Sequence, residues 1–206
     1  EESVNWFEKS AEQGNASAQF FLGYCYEKGQ GVKQNSAASV IWYRKAAEQG
    51  YVAAQYFMGY CCENGLGTEQ DDDEAVAWYS QAANNGNIEA QFKLADCYEN
   101  GQGIEQNFDE AIRWYKEAAE QGDAASQFKL GIYFELGEHV ELDYEKAAKW
   151  FVEAASQGYA KAQFKLGTYY EGGYGVEQDK DEALKWYQAA AAQGHKEAVR
   201  ILSEIR

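Results

Sequence analysis

The chain of 206 residues carries 34 acidic against 18 basic side chains, a formal net charge of −16, which excludes nucleic acid as the main partner because phosphate recognition needs a basic face. A hydrophobic share of 46% with 6 Trp, 16 Tyr and 10 Phe excludes a disordered acidic tail. No run approaches the ~18 apolar residues of a membrane-spanning helix, and Glu1-Glu2-Ser3-Val4 lacks the basic-then-apolar layout of a signal peptide. The expectation is a soluble, folded chain that does not insert into a membrane.

Proline is absent, and the 20 glycines are not spread at random. Gly14, Gly50, Gly86, Gly122, Gly158 and Gly194 fall 36 residues apart. They divide the chain into a leading fragment 1–14, five units (15–50, 51–86, 87–122, 123–158 and 159–194) and a final stretch 195–206. A single repeat domain over 1–206 follows, with 1–14 as the second helix of a partial unit and 195–206 as a terminal helix. Trp6 recurs as Trp42, Trp78, Trp114, Trp150 and Trp186, each followed by Phe or Tyr and, in the five full units, by a pair of alanines.

Each unit reads as two helices. Ala18, Leu22, Cys25 and Tyr26 share one apolar helical face, and Gly29 suits a left-handed cap at its end. A glycine link follows, as in Gly65-Leu66-Gly67-Thr68; His139 replaces its second glycine in the fourth unit, so a different link conformation is expected there. Asn35, Asp71, Asn107, Asp143 and Asp179 then stand where the second helix needs its N-cap. The run Asp71-Asp72-Asp73-Glu74 lacks the alternating ligands of a calcium loop and fits a helix N-terminus. Gly23, Gly59, Ala95, Gly131 and Gly167 sit inside the first helix, where a neighbouring backbone needs room. Near the end, Val199, Ile201, Leu202 and Ile205 are placed to cap the core.

The 36-residue period, Ala18 with Leu22-Gly23, the glycine link, and Ala111 with Trp114-Tyr115, Ala118-Ala119 and Gly122 together resemble Sel-one-like repeats, a branch of the tetratricopeptide-like superfamily. The resemblance covers the whole chain. It implies an all-α, right-handed α-solenoid of five helix-turn-helix repeats with partial repeats at both ends, acting as a non-enzymatic scaffold or adaptor between proteins.

In tetratricopeptide-like arrays the first-helix face opposite the core lines a concave groove, and that implication carries over by position. It selects an aromatic ladder of Phe20, Tyr56, Phe92, Phe128 and Phe164, and a glutamate ladder of Glu27, Glu63, Glu99, Glu135 and Glu171. Between them lies a variable place holding Tyr24, Tyr60, Asp96, Ile132 and Thr168. Aromatic rings beside carboxylates suit a peptide or protein with basic and apolar residues. Packing is the competing reading of the phenylalanines, and a cap or inter-repeat hydrogen bond that of the glutamates; the variable place is the better seat of specificity. One further place holds Phe21 and Phe57, then Lys93, Lys129 and Lys165: two exposed phenylalanines, read either as an interaction patch or as a different packing of the first units, followed by a solvated face.

Cys25, Cys61 and Cys97 repeat at one place, with Cys62 beside the second. Neighbouring helices stand roughly 8–10 Å apart and a disulfide needs Cα atoms within about 7 Å, so these read as core thiols, in keeping with a reducing compartment. The two histidines, His139 and His195, are far apart in sequence, and no phosphate-cradling loop is present. No catalytic residue, metal or cofactor is expected. Two other functional readings stand beside the adaptor: a structural spacer in a longer solenoid, and self-association through the chain ends.

Overall fold

Short polar side chains open most of the helices, and left-handed glycines close five of them. The computed structural model describes residues 2–204, and within these the chain is all helix: α1 (Glu2–Glu12), α2 (Ala16–Lys28), α3 (Ser36–Glu48), α4 (Val52–Asn64), α5 (Asp72–Asn84), α6 (Ile88–Asn100), α7 (Phe108–Glu120), α8 (Ala124–Leu136), α9 (Tyr144–Ser156), α10 (Ala160–Gly172), α11 (Lys180–Ala192) and α12 (Lys196–Glu204). Asn35, Asp71, Asn107, Asp143 and Asp179 accept hydrogen bonds from backbone N–H groups of the first turns of α3, α5, α7, α9 and α11, as their spacing predicts. The even-numbered helices α2 to α10 end on Gly29, Gly65, Gly101, Gly137 and Gly173, all left-handed.

Packing divides the chain into two compact bodies, Glu1–Ala111 and Ile112–Arg206. In the first, α1 packs on α2, α2 on α3, α3 on α4, α4 on α5 and α5 on α6. In the second, α8 packs on α9, α9 on α10, α10 on α11 and α11 on α12. Within each body these helices meet their neighbours in the chain, which is the contact pattern of a helical repeat solenoid.

The cores are built from the recurring residues. Leu22, Met58, Leu94, Leu130 and Leu166 are buried, each worth about 1.5–3 kcal/mol, and so, apart from the half-buried Ala191, are the alanine pairs that let the helices approach. Tyr43, Tyr79, Tyr115, Phe151 and Tyr187 are buried too. A methyl group at Gly59 would strike the Tyr79 ring, and one at Gly167 the Tyr187 ring, so the interior glycines make room for an aromatic side chain rather than for backbone. At the far end α12 turns Ala198 fully inward, with Ile201 and Leu202 half-buried on the same face. Val199 lies about a quarter-turn off that face and is exposed, which corrects the expected cap, and Ile205 lies outside the described residues.

The link glycines answer to backbone contacts. A Cβ at Gly67, Gly103 or Gly175 would collide with the carbonyl oxygen of Ser36, Asp72 or Tyr144, at the start of the second helix one repeat earlier. His139 takes the same backbone turn, with φ of 61°, and is the one described non-glycine residue in that region. The fourth link therefore keeps the shape of the others, contrary to expectation, and an L-residue held left-handed costs roughly 1–2 kcal/mol. His139→Gly is expected to raise stability by about 1 kcal/mol, read as a higher midpoint in urea unfolding.

All four cysteines are free and buried. Burial pushes Cys61 up to about 11 and Cys62 and Cys97 up to about 12, and raises Cys25 as well. Thiols so protonated and enclosed are poor nucleophiles. An aromatic disulfide reagent at pH 8 is expected to leave the folded chain unlabelled within minutes and to titrate all four thiols once it is denatured.

Candidate protein-interaction surface

The aromatic ladder is bound up in packing. Phe20 lies 5.5 Å from Tyr43, 5.1 Å from Tyr51 and 5.6 Å from Phe57, ring centre to ring centre. Phe128 sits between Phe151 and Tyr159, Phe164 between Tyr187 and His195, and Tyr56 against Phe57 and Tyr79. Each of these rings, and Phe92, is half-buried. The residue opening the next helix chooses between two ways of holding the junction. Asn15, Asn87 and Asp123 cap their helices by hydrogen bond, whereas Tyr51 and Tyr159 give up the cap and stack on the ladder.

The glutamates are engaged as well. The Tyr43 hydroxyl donates to Glu27 Oε2 at 2.7 Å, Tyr79 to Glu63 at 2.7 Å and Tyr187 to Glu171 at 2.6 Å. Burial and the facing carboxylate raise the pKa of each phenol well above its usual value. Phe151 offers no hydroxyl to Glu135. Lysine supplies a second partner from the next repeat: Lys93 Nζ lies 2.8 Å from Glu63 and Lys165 Nζ 2.6 Å from Glu135. These lysines are half-buried inter-repeat ties and not the solvated face expected of them. At the same place earlier in the chain, Phe21 is exposed and stacks on Phe7, and Phe57 is half-buried against Tyr43 rather than exposed.

One device carried no functional assignment from its recurrence alone. Gln19, Gln55, Gln91, Gln127 and Gln163 are all buried. Each donates its amide to a carbonyl near the end of the preceding helix: Ala11, Ala47, Ala83, Ala119 and Ala155, at 3.1 to 3.4 Å. The oxygen of the same amide accepts from the far end of the following helix, where Gln49 reaches Gln19 at 2.7 Å and Gln157 reaches Gln127 at 2.8 Å. The available signal was a polar residue recurring beside the core alanine of an otherwise apolar face.

With both ladders engaged, the variable place is the part of the first-helix stripe that the frame leaves least constrained. Tyr60 is exposed, and Tyr24, Asp96, Ile132 and Thr168 are half-buried. Ile132 also packs on its body's core, and Thr168 Oγ1 donates to the Lys165 carbonyl. Glu99 is half-buried and Glu171 exposed. Asp71 caps α5 and the three acidic residues after it fill the first turn, as a helix dipole favours. Among the described residues no cluster of His, Cys, Asp and Glu is arranged to hold a metal ion, and no helix is long and apolar enough to cross a membrane.

The Sel1 repeat family model matches residues 1–15, 16–51, 52–87, 88–123, 124–159 and 160–195. The chain belongs to the Sel1 repeat family. A protective antigen of uropathogenic Escherichia coli with the SLR fold is 36% identical over 94% of this chain, with a TM-score of 0.91. A Sel1 repeat protein from Oxalobacter formigenes is 37% identical over 94% of the chain and 77% of its own length, with a TM-score of 0.85. An immunity protein from Pseudomonas aeruginosa, 24% identical over 89% of the chain and 67% of its own, shares the fold at a TM-score of 0.53. The chain spans 42% of the length of the E. coli antigen. No curated protein sequence matches it. Sel1 repeat proteins are generally protein-interaction modules rather than enzymes.

In this Sel1 repeat protein the tyrosine–glutamate bond ties the two helices of a repeat together. Tyr79→Phe is expected to lower stability by about 1–2 kcal/mol, since hydrogen bonds to charged groups contribute more than neutral ones. Chemical denaturation beside the parent chain measures it, and an unchanged midpoint would show that the Lys93 pair alone satisfies Glu63.

Proposed function

We propose that the chain is a non-enzymatic adaptor that holds a peptide or protein segment with basic and apolar residues against the first-helix face of its repeats. The observation that carries this reading is the variable place. A frame that repeats its tryptophans, glutamines and glutamates presents five partly exposed positions filled by Tyr24, Tyr60, Asp96, Ile132 and Thr168. Four residue types on a repeating frame give side-chain diversity where packing does not demand uniformity. The net charge of −16 favours a basic partner through long-range attraction. The general use of Sel1 repeats in protein interaction supports the same direction.

Tyr24 and Tyr60 offer the test least entangled with the core. Capture from a native lysate with the parent chain is compared with capture by a Tyr24→Ala, Tyr60→Ala variant, after circular dichroism shows equal helicity and closely similar melting. The expected result is a partner retained by the parent, weakened at least tenfold in the variant, and released by moderate salt. Equal retention by both would overturn the assignment of this face, and no partner captured by either would favour the spacer reading.

A further inference from the structure

Two equivalent sites in the two bodies are finished differently. In the second body Tyr144, Tyr169 and Tyr174 pack on one another with ring centres 5.7 to 6.3 Å apart, and Lys165 pairs with Glu135 beside them. Three repeats earlier the same places hold Ser36, Cys61 and Leu66, and Phe57 stands where the lysine would be. The space the tyrosines fill is open there. It forms a cleft of about 220 Å³ lined by Glu27, Ser39, Tyr60 and Cys61 among others. Drug-sized ligands occupy about 300–1,000 Å³, so this cleft suits a single long side chain.

The polar groups in the cleft are poised for a cation. Glu27 Oε2 accepts from Tyr43, while Oε1 meets only the adjacent Lys28 among the partners seen for it. Lys28 is well exposed, and an ion pair of that kind contributes little. Ser39 is 2% exposed, and its hydroxyl has no hydrogen-bond partner of acceptable geometry, although it lies near the Tyr43 phenol. A buried hydroxyl left unpaired costs about 1–3 kcal/mol, and Ala147 stands at this place in the filled site. Ser39 is thus present where the cleft is open and replaced by Ala147 where tyrosines close it, the filled site keeping the buried Tyr169 hydroxyl as its own unpaired group.

We propose that this cleft receives the basic side chain of a partner peptide, with its ammonium or guanidinium displacing Lys28 from Glu27 Oε1 and donating to Ser39 Oγ. This rests on the adaptor reading and names one anchor for it. The internal Lys93–Glu63 and Lys165–Glu135 pairs show the chemistry that the ladder carboxylate accepts when a lysine reaches it. In the first repeat the cation comes from outside the chain.

The probes are N-acetyl-lysine methylamide, N-acetyl-arginine methylamide and the uncharged N-acetyl-norleucine methylamide, titrated at low salt into carbon- and nitrogen-labelled protein while the Glu27 carboxyl and Ser39 signals are followed. The expected result is saturable movement of both signals with a basic amide and none with norleucine. Glu27→Gln keeps an acceptor for Tyr43 and is expected to weaken the basic amide at least tenfold. Phe57→Lys supplies an internal cation as Lys93 does, and is expected to close the site while leaving Glu27 in place. Equal response to norleucine, undiminished binding by Glu27→Gln, or no saturable shift with either basic amide would overturn the proposal. If that happens while the Tyr24, Tyr60 variant still loses its partner, the cleft fails and the adaptor reading stands.

Discussion

A buried side-chain amide that bonds in both directions is the constraint on which the stacking depends. Gln55 donates to Ala47 on the helix before its own and accepts from Asn85 on the helix after. A hydrophobic side chain would fill the same volume without fixing how far one helix slides along the next. Buried amides specify register because an unmet donor or acceptor is costly inside a core. With register held, a glycine such as Gly59 falls opposite the ring of Tyr79, and the phenol of that ring falls opposite Glu63. The aromatic and glutamate ladders are consequences of an alignment set deeper in the molecule.

Electrostatics then differ from junction to junction on a constant frame. Arg44 pairs with Glu74 across one boundary at 2.6 Å, holding that carboxyl below its usual range, and Trp78 Nε1 donates to the same carboxylate. Its folded pKa lies below the unfolded one, so this contribution is present at neutral pH and is lost as pH falls through the folded value. Lys93 and Lys165 serve other boundaries through the glutamate ladder. The strong acidic excess is thus met locally by a few well-placed cations, and the remaining charge faces outward.

Much of the architecture was legible in the residues. The second-helix caps, the left-handed glycines and the buried leucines follow from local rules that act over three or four residues, and a five-fold recurrence averages out accidents. What was not legible acts over longer separations. Lys93 reads as surface because its partner Glu63 lies 30 residues earlier and one turn of the repeat away. The glutamates read equally as ligands or as ties because Tyr43 is 16 residues from Glu27. His139 misled in the opposite sense: residue type suggested a new link geometry, and the surrounding frame imposed the old one. Of the proposed surface, the residues of the variable place were readable as different from one another, but the open space beside Ser39 was not, since it arises from what three other side chains fail to fill.

The link glycines have a consequence for how such a chain changes over generations. Gly67, Gly103 and Gly175 each touch a carbonyl one repeat away, and every such joint is assembled from the same parts. Loss or duplication of a complete 36-residue segment brings together two surfaces already made for each other. A single methyl group at Gly67, Gly103 or Gly175 meets backbone, whereas the fourth link admits His139 in the same turn at the cost of a strained φ. The architecture is lenient toward large, in-register edits and less tolerant of small ones at its hinges, so its length is free to drift while most of its joints keep glycine.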